Sequence, residues 1–503
     1  MAAVASSQTK QETMYYEELD ALTVKTNILS PLENEQKAVS KTKGKSHGKK
    51  KAKRKRDKAK NNANVNKQTA IPSPIGRGGA TITYCRDTNK VYLLGGANRK
   101  GECFGMSTID VFDLPTKSWS QVQAKGEVPS PRSGHTVVAN GTFLYLFGGM
   151  ARTQDHCLND LYVLQVSNEA SYVWSKILGK PQLGANGINT RSPAPCPRNG
   201  HTATFVEGQV ISNEVNTINS TGASVPLALV YIFGGGSPTT GPLNDMHILD
   251  VTDPDDVHWR LLSTPFVDIP PAETNAAPPL PREMHSAVFF PAPCGSSASR
   301  VPEDTETRNA QEEGSENMNS ANEENAVRDE ISVNNDSDRN LKSHGERQID
   351  KCPRPGKIYF YGGRGVDSIC SDVLVFDVQT FQWKSEEYGM KTLIPRCGHV
   401  SAKLGDTHLA IMGGFDGQKV CNDLLFLNLK KNQWTEAALK PFAIPARFAH
   451  SSSFNLEAKI MYVYGGSNAE KECDDLIEMD LNVVIKDDDK DGAVTVVDQK
   501  DDV

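Results

Sequence analysis

Six times along the chain an apolar, strand-like run stops at two adjacent glycines: VYLLGG, LYLFGG, VYIFGG, IYFYGG, LAIMGG and MYVYGG. The pairs are Gly95 and Gly96, Gly148 and Gly149, Gly234 and Gly235, Gly362 and Gly363, Gly413 and Gly414, and Gly465 and Gly466. Their first members are 53, 86, 128, 51 and 52 residues apart, so the natural period is near 52. A fixed period of this size marks a chain built from repeated supersecondary units, none of which can bury its apolar faces alone. The two long intervals then require insertions, placed at about residues 207–225 and 295–355.

Other positions keep the same register. An arginine precedes each pair, at Arg77, Arg132, Arg198, Arg282, Arg396 and Arg447. In five copies a histidine follows it by three residues (His135, His201, His285, His399 and His450), whereas the first copy has Ala80 there. Downstream an Asx-type residue opens a further strand, as in NDLYVL, NDMHIL, SDVLVF, NDLLFL and DDLIEM, with STIDVF the weakest version. All five tryptophans share one repeat position: Trp119, Trp174, Trp259, Trp383 and Trp434. Each period thus carries four short strand signals separated by Gly, Pro, Asn and Asp turns, with no amphipathic helical stretch. One period is a four-stranded antiparallel blade, and six blades around an axis make an all-β propeller.

The glycine pair, the aromatic before it and the spaced tryptophan resemble the kelch repeat, over roughly residues 68–486. A tyrosine three residues before the glycines recurs at Tyr92, Tyr145, Tyr231, Tyr359 and Tyr462; Ala410 replaces it in the fifth copy, so blade five is expected to pack differently. The glycines are expected where the backbone needs φ > 0 or where the next blade leaves no room for a side chain. The tryptophans are expected at the same blade interfaces, each ring contributing roughly 2–3 kcal/mol of burial. Closure of the ring stays open. The sixth copy has Lys486 where a tryptophan would align, so its outer strand is either the NVVIK run or a strand lent by NVNKQTAIPSPIGR. Six blades follow in either case.

Charge is distributed unevenly. Residues 41–60 carry twelve Lys or Arg against one Asp, and residues 301–350 carry fourteen Asp or Glu against five Lys or Arg. Both compositions are those of self-repelling, disordered chain. The expected organisation is a disordered N-terminal tail over 1–67, the propeller over 68–486 with the acidic insertion in blade four, and an acidic tail over 487–503. Lys49, Lys50, Lys51, Lys53, Arg54, Lys55 and Arg56 form a nuclear-import candidate that would also give weak polyanion binding. No apolar run of about 20 residues is present and the N-terminus lacks a leader pattern, so a soluble protein of the cytoplasm, the nucleus or both is expected. The short, polar, basic N-terminal stretch leaves no room for helical dimerisation domains, and a monomer like the stand-alone kelch proteins is expected. That group includes Rab effectors, actin-associated proteins and degron receptors.

For function, the six arginines fall just before each innermost strand, near the mouth of a propeller channel. The resemblance implies a ring of guanidinium groups for an acidic peptide or a C-terminal carboxylate, the planar fork being suited to carboxylates. The competing reading is that each arginine satisfies backbone carbonyls and acids between blades. One histidine per blade is too dispersed for metal ligation and reads as a buried hydrogen-bonding group; the Asp of each Asx pair reads as a turn former. There is no nucleophile elbow, phosphate loop or HExxH, and the ten cysteines are scattered without metal spacing. No cofactor and no enzymatic activity are expected. The leading expectation is a protein-binding adaptor acting through the loop-bearing face. The alternatives are a ubiquitin-ligase substrate receptor and, after it, a metal-dependent enzyme on a kelch scaffold.

Overall fold

A computed structural model describes residues 23–29, 71–151, 156–167, 171–178, 193–209, 227–260, 279–292, 356–384, 394–441 and 443–482. All lie in one compact unit drawn from 1–292 and 353–503. Among the described residues every regular element is a β-strand, and the strands form six blade sheets, one per repeat, with two small two-stranded ribbons in the loops of blades two and three.

Blade one runs Gly78–Cys85, Lys90–Ala97, Thr108–Asp113 and Ser118–Gln123. Blade two runs Thr136–Asn140, Phe143–Phe147, Leu161–Val166 and Tyr172–Ile177; blade three, Thr202–Gln209, Leu227–Phe233, Met246–Asp250 and His258–Arg260. Blade four runs Ser286–Pro291, Gly356–Tyr361, Val373–Asp377 and Gln382–Lys384; blade five, Val400–Leu404, His408–Phe415, Val420–Asn428 and Gln433–Glu436. Each is an antiparallel meander in chain order. The first strand of blade three reaches Gln209, so it enters the segment expected as an insertion; residues 210–226 and 293–355 lie outside the described residues.

Blade six departs from the expectation. Ser451–Asn455, Ile460–Tyr464 and Leu476–Asp480 are followed outward by Thr23–Ile28, a strand from the segment expected to be a disordered tail. Neither expected donor fills that place. Residues 483–486 of the NVVIK run fall outside the described residues, and Ile71, in the described part of the other candidate, instead bridges Trp119 at the outer edge of blade one, its N–H donating to the Trp119 carbonyl at 3.0 Å. The physical reason is an edge to cover: Leu476–Asp480 would otherwise present an unpaired row of backbone groups. Thr23–Ile28 alternates Val24 and Thr26, both buried, with exposed Lys25 and Asn27.

The two glycines of each pair do different work. Both have positive φ in all six blades, for example 65° and 94° at Gly148 and Gly149. A Cβ on Gly148 would stand 2.9 Å from the Arg198 carbonyl of the next blade, and one on Gly149 would stand 2.8 Å from His135 Cβ of its own blade. The second glycine's N–H then donates to that next-blade carbonyl at 2.9 Å, a bond repeated at all six junctions and closed by Gly466 onto Arg77. The tryptophans pack as expected against the preceding blade: Trp259 on Phe147 at 5.0 Å between ring centroids, Trp383 on Phe233 at 4.8 Å and Trp119 on Tyr464 at 5.8 Å. Ala410 of blade five is fully buried in a cluster with Met412 and Phe426.

A second circuit was not visible beforehand. The residue before each repeat histidine, or before Ala80 in blade one, donates its N–H to the carbonyl of its counterpart in the preceding blade. The circuit runs through Gly79, Ala449, Gly398, Met284, Gly200 and Gly134 and returns to Gly79, with lengths of 2.7–2.9 Å. All six residues have φ between 55° and 66°. Four are glycine, the residue that tolerates this region without penalty.

Candidate functional site

The six repeat arginines are 0–6% exposed. Each donates from Nη1 to the carbonyl of its own blade's first glycine, as Arg132 does to Gly148 at 3.0 Å and Arg282 to Gly362 at 3.1 Å. Five are also paired with the Asp expected to be a turn former. Arg198 grips Asp245 through both oxygens at 2.7 Å; Arg282 grips Asp372 at 2.8 and 2.9 Å; Arg396 grips Asp423 at 2.9 and 2.8 Å. Arg132 pairs in the same way with Asp160, and Arg447 with Asp475 at 2.9 Å. Burial raises the Asp245 carboxyl, but the hydrogen bonds from Arg198 and His247 outweigh it and hold the group well below the ordinary range. Burial likewise opposes the Arg198 charge, and its bond to Asp245 more than compensates.

Blade one reaches the same pairing by another route. Arg77 meets Asp110 at 3.1 Å, with both side chains 6% exposed. Asp110 sits inside its strand opposite Leu93, whereas Asp160 precedes its strand. The copy whose Asx signal is weakest therefore supplies its carboxylate from a shifted position.

The histidines form a relay between blades. The Nε2 of His135 lies 3.2 Å from Thr81 Oγ1 of blade one, His201 2.8 Å from Thr136, His285 2.9 Å from Thr202 and His399 2.8 Å from Ser286. Burial, reinforced by the neighbouring arginine charge, lowers His135, His201 and His399 to about 3 and His285 and His450 well below the ordinary value. All five rings are therefore neutral near pH 7. The relay fails at one step: blade five has Val400 where the others carry a hydroxyl, and His450 Nε2 is left without a side-chain hydroxyl. Val400→Thr keeps the shape and restores the acceptor, so it should stabilise the fold by about 1 kcal/mol in urea unfolding. Among the described residues no group of three or more His, Cys, Asp or Glu is placed to hold a metal ion. The import candidates Lys49 to Arg56 lie outside the described residues.

An open site does exist, built from residues that do not repeat. The loops joining second to third strands in blades two, three and four border a cleft of about 660 Å³. Met150, Pro238, Pro242, Val366 and Ile369 give it an apolar lining, and Asn199, Glu283, Arg364 and Asp367 supply polar groups. Glu283 and Arg364 exchange backbone hydrogen bonds of 3.0 and 2.7 Å within blade four, just before its first strand and just after its second. The largely buried Glu283 carboxylate also accepts from Arg364 Nε at 2.8 Å and from its Nη2. The rest of the Arg364 side chain is 61% exposed, and Val366 beside it is 72% exposed. A guanidinium anchored on one edge and open on the other can take a carboxylate. A flanking apolar floor can take the side chain next to that carboxylate. The residue after each glycine pair differs in every blade (Ala97, Met150, Gly236, Arg364, Phe415 and Ser467), and that irregularity was the available signal.

The KLHDC2/KLHL20/DRC7 Kelch-repeats domain matches residues 65–212 and 344–484, more than half of the chain. The chain is similar to host cell factor homolog hcf-1 of Caenorhabditis elegans, 27% identical over 217 residues, covering 40% of this chain and 22% of that protein. It is similar to the human Rab9 effector protein with kelch motifs, 43% identical over 63 residues, 12% of this chain and 17% of that protein. It is also similar to the human host cell factor 1, 29% identical over 191 residues, 36% of this chain and 7% of that protein. The chain thus spans less than a quarter of the length of each of these relatives.

Proposed function

We propose, from the premise that the chain belongs to the kelch-repeat β-propeller family, that it is a non-enzymatic protein-binding adaptor whose partner docks in the cleft over blades two to four. The observation that carries this is the contrast between arginines. The six repeat guanidinium groups are buried and matched to aspartates, whereas Arg364 opens onto a cleft beside exposed Val366. The cleft lining sets an apolar floor beside Asn199, Arg364 and Asp367, a composition suited to recognition. The name of one relative, a Rab9 effector, is that of a protein that acts with another protein, and supports the same reading.

The narrower reading, a ubiquitin-ligase receptor for an acidic peptide or chain terminus, moves with the chemistry. Its carboxylate contact would be Arg364 and not the repeat arginines. Adaptors of this kind would work in the cytoplasm, and the basic run would extend them to the nucleus.

A photo-crosslinking residue in place of Val366 in the full chain tests the cleft, with Leu456 as the control. Leu456 is 69% exposed in the turn between the first and second strands of blade six, at the opposite end of the strands. Adducts from lysate should form at position 366, and Arg364→Gln, which removes the charge but keeps an amide donor near Glu283, should reduce them at least tenfold in a chain that still unfolds cooperatively. Adducts at 456 alone would place the docking surface on the other face.

A further inference from the structure

Thr23–Ile28 occupies a slot with a strand edge on each side. It pairs antiparallel with Leu476–Asp480, from Lys25 opposite Asp480 to Ile28 opposite Ile477. On its other side it pairs parallel with Ala438–Lys440, from Thr23 opposite Ala438 to Lys25 opposite Lys440. Thr26 Oγ1 donates to the Lys440 carbonyl at 3.0 Å, and the Leu29 N–H donates to the Leu476 carbonyl at 2.9 Å. Side-chain anchoring is slight by comparison. Val24 enters the core, while Thr26, opposite Met479, stands where the other five blades insert a tryptophan. The segment is held mainly by backbone edges, which is the physics of strand addition.

The strand is also tethered loosely in sequence. Leu29 and Ile71 pack in the same cluster with Trp119 at the seam of blades six and one, and 41 residues lie between them in sequence. Extended, such a tether reaches on the order of 140 Å, enough to carry the strand to a neighbouring molecule. The slot is matched in detail to one sequence: small β-branched residues at two inward positions, Lys25 opposite Asp480, and Asn27 Nδ2 donating to Glu478 at 3.1 Å.

We infer that this slot is a strand-acceptor site, and that its second occupant is Thr23–Ile28 of another copy of the chain, giving a reciprocal strand-exchanged dimer. The tethered strand competes at a local concentration on the order of millimolar. The monomer therefore dominates at low concentration, and exchange appears where the chain is concentrated or its own strand is disabled. This inference is independent of the cleft.

The test uses the full chain carrying Val24→Asp and Thr26→Pro, which disables the tethered strand and leaves the slot intact. The probe is a fluorescein-labelled peptide of residues 20–31. The variant should melt below the parent, bind the peptide at least 100-fold more tightly than the parent does, and regain melting temperature on saturation; a scrambled peptide should do neither. A folded variant that ignores the peptide overturns the proposal. Should the variant not fold, donor- and acceptor-labelled parent chains are mixed at rising concentration. Energy transfer that grows with concentration and is abolished by Val24→Asp in both chains supports exchange, and its absence, or its survival in Val24→Asp, overturns it.

Discussion

Lowering the pH from 7.5 to 5.5 should strip on the order of 7 kcal/mol from the stability of the propeller, about 1.4 kcal/mol from each of five histidines. The sign follows from burial. His135, His201, His285, His399 and His450 stay neutral in the fold because desolvation, and then the adjacent arginine charges, hold their pKa values far below the ordinary value. The unfolded chain binds protons at these rings as soon as the pH passes below about 6.5. Stability is therefore complete above that value and falls steadily as pH drops toward about 3, where His135, His201 and His399 take up their protons in the fold. A domain with a typical 5–15 kcal/mol in hand would unfold on this account between about pH 4 and 6. Urea midpoints measured across this range give the proton uptake on unfolding, which should approach five. His450→Leu should remove one proton from the count. A loss below about 2 kcal/mol would mean that the rings are charged in the native state.

The second large effect concerns the arginines. Arg282→Met should cost about 3 kcal/mol, because it deprives the Gly362 carbonyl of its donor and leaves Asp372 unpaired. Asp372 is 44% exposed, so water recovers part of that loss. Arg77→Met should cost nearer 5 kcal/mol, since its partner Asp110 is 6% exposed and keeps only the Gln121 amide. Arg77→Met with Asp110→Leu removes both charges and should recover much of the difference, which urea unfolding of the two single variants and the double variant would measure. Charge reversal at Arg198 or Arg396 should cost more than neutralisation, because a second carboxylate would then take the buried place of the guanidinium beside Asp245 or Asp423.

What repeats sixfold can be read from the chain itself. The glycine pairs, the tryptophans and the blade count are legible because each blade must meet the next one in the same way. The Arg and Asp positions also recur together, so their pairing was legible in principle. The turn-forming habit of aspartate hid it, and in blade one the carboxylate shifts to Asp110. Thr23–Ile28 carries no such signature. It is six residues used once, far from its partners in sequence, and only the uncovered edge of Leu476–Asp480 shows why it is needed. The cleft is hidden for the opposite reason to the scaffold, since Arg364 and Glu283 occupy positions where no two blades agree. In a repeat protein the conserved register identifies what the blades need from each other, and the departures from it identify what an outside partner can find.

The circuit of six amides from Gly79 through Ala449, Gly398, Met284, Gly200 and Gly134 has an electrostatic consequence. Six peptide dipoles placed head to tail around a circle cancel, unlike those of a helix, which add along its axis. The circuit therefore presents no net pole to a molecule on the axis, and every N–H in it is already committed. A charged ligand gains no attraction there from these six amides, and the asymmetric loops of the proposed cleft can create a field that they cannot.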